Sequence, residues 1–144
     1  MTPLETTQSA KVMRLMNLAL TLGLSLMAVV FVILRRTGRS PALDIPPVAG
    51  TALTGAAIAM LAVAIAVVRP RIPLLAPDQT ADQYWGDATV RMSVIMLWAG
   101  VEGAGLMGAV GYLLTGQTAP GVALVLAILT LVSLGPARFE GDAG

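Results

Sequence analysis

The residue with the most chemistry to offer is Glu102, in the stretch Ala99-Gly100-Val101-Glu102-Gly103-Ala104-Gly105. It stands in a long, otherwise uncharged run, and a carboxylate at the centre of a bilayer costs about 2.5 to 3.5 kcal/mol even on insertion scales. Such a group must face protein or water. Three roles are open to it: a protonated hydrogen-bond donor that holds helices together, a proton or cation site, or a contact to a partner subunit or bound ligand.

Depth in the membrane names its possible companions. Asn17, Thr21 and Ser25 recur every four residues and share one helix face, with Ser25 nearest the membrane centre, and Thr130 reaches a similar depth from another segment. Serine and threonine commonly bond back to their own helix, so the same stripe also reads as structural. Arg91 lies almost on the face of Glu102, but eleven residues of helix span about 16 Å, too far for an ion pair within one chain. Trp98, Ala99, Gly105, Leu106 and Ala109 share that face by helical spacing. Gly100, Ala104 and Gly108 form a separate row of small residues four apart, a spacing that lets a neighbouring backbone approach closely, and a helix contact is expected there.

The remaining inventory is thin. Histidine and cysteine are absent, which removes haem ligation through His, Fe–S clusters, Cys or His zinc sites, thiol catalysis and disulfides. A serine–histidine triad is excluded for the same reason, and Lys11 is the only lysine. Asp78 and Asp82, four apart, form a carboxylate pair, but no glycine-containing calcium-loop spacing accompanies them and they read as a solvated helix start. Neither enzymatic chemistry nor a cofactor or metal site is expected. Nine basic residues against eight acidic ones give a net charge of +1, without the basic field that would attract nucleic acid.

The elements that must position Glu102 follow from composition. Of the 144 residues 56% are hydrophobic and 12% charged, whereas a soluble domain carries about 25% charge. The apolar residues fall in blocks that predict an all-α integral membrane bundle of four transmembrane helices in a single domain, with spans at about 15–34, 48–68, 89–114 and 120–135. The first block ends on Arg35 and Arg36, where a secretory signal would carry a small-residue cleavage site, and it reads as a retained helix. Gly38, Pro41, Pro46 and Pro47 mark the connection to the second span. In that span Gly50, Thr54, Gly55, Ala59, Ala62 and Ala66 recur near helical spacing, so it is expected to be the most protein-facing helix.

Arg69 to Asp87 is the longest polar stretch and reads as interfacial. Asp78 suits an N-cap, Asp82 and Asp87 an early helical turn, and Tyr84 and Trp85 the aromatic belt at headgroup level. Thr115 to Ala119 is long enough only for an antiparallel hairpin. No soluble domain, heptad region or low-complexity tail is present.

With four spans, Lys11, Arg14, Arg69, Arg71, Arg91 and Arg138 share one side, and Arg35, Arg36 and Arg39 the other. The positive-inside rule then puts both termini in the cytoplasm of a cell with an inner (plasma) membrane. A bundle this small is expected to be a homo-oligomer or to sit beside another membrane protein within the lipid bilayer, as a structural or accessory component. The alternative is proton or cation translocation through Glu102.

Val101-Glu102-Gly103 in mid-helix and Tyr112-Leu113-Leu114-Thr115-Gly116 at its end resemble small, uncharacterised four-helix bacterial membrane proteins. That resemblance implies the fold and no activity. The second and third spans are also similar to the hairpin of the rotary ATPase proteolipid, in which a small-residue helix, a polar loop and a helix with a central carboxylate follow in order. This likeness implies an ion-carrying role for Glu102 alone. The loop here reads Arg69-Pro70-Arg71 where that family has an Arg-Gln-Pro type of turn, and two extra spans surround the pair.

Overall fold

The computed structural model describes residues 9–38 and 45–141, all helix and connecting turns, with no strand among them. Arg39 and Pro41, which the sequence assigns to the first loop, lie outside the described residues. The elements are α1 (Ser9–Arg36), α2 (Pro47–Val63), α3 (Ala81–Gly86), α4 (Ala88–Thr115), α5 (Thr118–Ser133) and α6 (Ala137–Glu140). Three helical stretches, Ser9–Arg36, Pro47–Arg71 and Ala88–Thr115, are long and apolar enough to cross a membrane. They mark a multi-pass membrane protein. At 16 residues, α5 is about 24 Å long, short of the hydrocarbon thickness of about 30 Å.

Local chemistry sets the helix ends. Arg35 and Arg36 occupy the last turn of α1, where cations oppose the helix dipole. Pro47 opens α2 at a position whose N–H has no helical partner. Further on, Pro70 has no N–H to offer the carbonyl of Ala66 and its ring crowds that carbonyl. The helix accordingly widens into a π turn at Ala64–Val68 and tightens into a 3-10 turn at Arg69–Arg71.

Thr80, and not Asp78, caps α3. Its Oγ1 accepts from the Gln83 N–H at 3.3 Å while its own N–H donates to Gln83 Oε1 at 2.9 Å, a reciprocal pair that outcompetes a lone aspartate three residues from the first turn. Asp87 then starts α4, with Oδ1 accepting from the N–H groups of Thr89 and Val90 at 2.7 and 3.3 Å. Gly116, at φ 69°, closes α4 in the left-handed region.

In the packing, α4 is central. Half of its most apolar stretch is inside the molecule, against 17% for α2 and 6% for α1. This corrects the expectation for the second span: Gly55, Ala59, Ala62 and Ala66 are exposed. Small residues permit close approach without requiring it, whereas α4 carries both the bulky Leu97, Trp98 and Val101 and the glycine gaps that receive its neighbours. Leu24 of α1 and Ala127 of α5 converge on Gly105, and Pro120 and Leu124 of α5 press their backbones against Gly108. Ala10 meets Asp82 before α4, Leu24 meets Gly105 and Arg35 meets Leu113, so α1 runs parallel to α4. Both α1 and α2 pack on α4 and α5 but share no substantial contact with each other.

Candidate functional site

Glu102 is half-buried on the flank of α4, and no hydrogen bond or ion pair reaches it among the described residues. Only one polar side-chain atom there is both buried and without a partner, Thr21 Oγ1. The carboxylate of Glu102 is therefore accessible, not sealed in the protein. Its neighbours by helical spacing divide in two. Trp98, Gly105 and Ala109 are buried, while Ala99 and Leu106 are exposed, so Glu102 stands at the boundary between the packed and open sides of α4.

The polar stripe of α1 does not bond to Glu102. Asn17 is buried and its Nδ2 donates to the carbonyl of Leu131 on α5 at 3.4 Å. Ser25 Oγ donates back to the carbonyl of Thr21 at 2.7 Å, and Thr130 Oγ1 likewise to Leu126 at 2.7 Å. With Leu24 against Gly105 and the two helices parallel, Thr21 comes level with Glu102, one turn earlier on each. The row of small residues meets different surroundings along its length. A Cβ at Gly108 would stand 2.7 Å from the Pro120 carbonyl oxygen and 2.8 Å from the Leu124 nitrogen. Ala104 is fully buried. Gly100 borders an apolar groove of about 290 Å³ beside the π turn, lined also by Met60, Ala64 and Met96.

A second polar centre closes the bundle end that holds the start of α1, the loop before α3 and α6. Glu140 accepts from Arg14 Nη2 at 2.6 Å and from the indole N–H of Trp85 at 2.8 Å. Trp85 stacks edge-on against Tyr84 and Phe139, and the Arg69 guanidinium lies 5.0 Å from the Phe139 ring centre. The aromatic pair assigned from sequence to the headgroup belt is thus buried in protein. A belt position requires only one polar tip in water, but here Glu140 and a carbonyl supply the partners. Tyr84 Oη donates to the Pro73 carbonyl at 2.6 Å. Burial, above all, pushes its pKa up to about 12, with Arg69 opposing and Glu140 adding to the rise.

Asp82 accepts from the Ala10 N–H at 3.2 Å, placing an anion at the N-terminus of α1. Sequence reasoning passed over Glu140, Phe139 and the N–H groups of the two tryptophans. Trp98 donates to the carbonyl of Leu134 at 2.8 Å, occupying an acceptor that the end of α5 leaves open. The available signal was the demand of a buried indole N–H for an acceptor.

No family model, curated protein or solved structure matches the chain. Among the described residues there is also no cluster of three or more acidic side chains able to hold a metal ion.

Proposed function

We propose that the chain is a four-helix bundle of the bacterial inner membrane that serves as a non-enzymatic component of an oligomer or larger membrane assembly, with Glu102 at the contact. One observation carries this reading: a carboxylate near the middle of a spanning helix has no donor from its own chain among the described residues and stands at the edge of an open face. Lipid tails offer no hydrogen bond, so the group is best satisfied by something that docks there. In this reading α5 crosses with the help of the residues beyond its end and a locally thinned bilayer. The basic residues at the end that holds Arg14, Arg69 and Arg138 face the cytoplasm.

The test is the size of the particle extracted in mild detergent. Wild type is expected to run well above a single 14.8 kDa chain, and Glu102→Leu to fall to the monomer with its helix content intact. A wild-type monomer in detergent and in native-lipid discs would sink the proposal. Reporter fusions after Gly141 and at Gly38 check the orientation: activity of a periplasmic reporter after Gly141 overturns it.

A further inference from the structure

Where the helix that begins as α2 widens at Ala64–Val68, the apolar groove of about 290 Å³ opens between it and α4. The two helices run antiparallel there, with Met60 against Gly103 and Ala64 against Gly100. The groove therefore starts near the middle of the span, at Ala59 and Gly100, and ends at Val68, roughly 13 Å further along the helix. Its lining side chains are all apolar, and Met60 and Met96 can adapt to what lies between them. Beyond Val68 the character changes. Arg71, the last residue of this spanning stretch, is exposed and makes no ion pair among the described residues. Arg69, by contrast, is taken up by the Phe139 ring.

We propose that this groove holds one acyl chain of an anionic phospholipid whose phosphate is met by Arg71. The site goes beyond the assembly reading and does not depend on it. Charge complementarity selects the occupant: an apolar slot that leads outward to a free cation at headgroup depth matches a molecule with a hydrocarbon tail and a negative head. A guanidinium suits the phosphate because it can offer two parallel N–H groups to its oxygens. A zwitterionic headgroup carries its own cation beside the phosphate, so it gains less from Arg71. A protein helix, about 10 to 12 Å across with its side chains, would lie over the groove and leave the floor at Ala64 unfilled, whereas a single flexible chain follows it. Hydrocarbon tails surround the groove in any bilayer, so the preference for one lipid comes from the charged end.

Native mass spectrometry of the full chain, loaded in micelles with equal amounts of dioleoyl phosphatidylglycerol and dioleoyl phosphatidylcholine, tests the site. Wild type is expected to retain one phosphatidylglycerol severalfold more often than one phosphatidylcholine. Arg71→Gln is expected to lose that preference, while Arg36→Gln, which removes an exposed cation at the opposite end of the bundle, keeps it. Ala59→Phe and Met96→Phe fill the groove from its two walls, both at exposed positions. Each is expected to cut retention of either lipid severalfold with helix content unchanged. Equal retention of the two lipids by wild type overturns the proposal, as does an equal loss of preference in Arg36→Gln and Arg71→Gln, or undiminished retention in both phenylalanine variants. A bound polypeptide in place of lipid, released by Ala59→Phe, would assign the groove to a protein and overturn it likewise.

Discussion

Two glycines of a single row should respond to the same substitution with opposite signs. At Gly100 an added Cβ meets only the Ala64 methyl, at 3.8 Å, an ordinary van der Waals distance. Gly100→Ala therefore gains the helix propensity difference of about 0.8 to 1.0 kcal/mol with no steric cost, and is expected to stabilise by up to about 1 kcal/mol. At Gly108 the same methyl would stand 2.7 and 2.8 Å from backbone atoms of α5. Backbone cannot rotate aside as a side chain can, so the helices must separate. Overpacking of this kind costs about 1 to 3 kcal/mol, and with two backbone atoms under 3 Å it falls in the upper part of that range, so after the propensity gain Gly108→Ala is expected to destabilise by up to about 2 kcal/mol. Gly108→Leu should go further and loosen the fold altogether. Unfolding by graded addition of a denaturing detergent, followed by the fluorescence of Trp85 and Trp98, measures both variants against wild type. If Gly108→Ala is as stable as Gly100→Ala, the α4–α5 approach is not as close as described and the reasoning fails.

Glu140→Ala removes the acceptor of a fully buried indole N–H, which costs about 1 to 3 kcal/mol, and it should shift Trp85 emission, whereas Glu140→Gln retains an acceptor oxygen and should lose less. Tyr84 predicts an alkaline transition. Its phenol ionises near 10.0 when unfolded and near 12 when folded, so the folded state holds the proton more tightly, and the stability this gives is complete below pH 10 and lost as pH rises towards 12. Melting temperatures of wild type should fall over that window, and those of Tyr84→Phe should fall less. Liposomes holding the purified protein and an internal pH dye should show no proton leak, with or without an imposed potential. A leak abolished by Glu102→Gln would restore translocation as the function.

Helix content and the three long apolar stretches were legible because block length and hydropathy are properties of consecutive residues. Which face of each helix is buried was not. In α4 almost every position is apolar, so periodicity has nothing to contrast, and the division of Ala99 and Leu106 from Val101 and Ala104 emerges only from packing. The cap of α3 was misplaced by attention to charge, since Thr80 with Gln83 satisfies two backbone groups where Asp78 would satisfy one. Glu140 was invisible because its partners, Arg14 and Trp85, lie 126 and 55 residues away.

That long separation bears on biogenesis. The most apolar of the three long spanning stretches, α1, precedes its packing partners α4 and α5 along the chain and is the least buried of the three, with polar ties to Asp82 and Glu140 at one end, to Leu131 along its length and to the Leu113 carbonyl at the other end. Until α5 has been synthesised, the buried amide of Asn17 lacks the Leu131 carbonyl it later finds. Chains halted before α5 should thus leave the Asn17 amide without its acceptor, an unpaired polar group that the finished molecule no longer exposes.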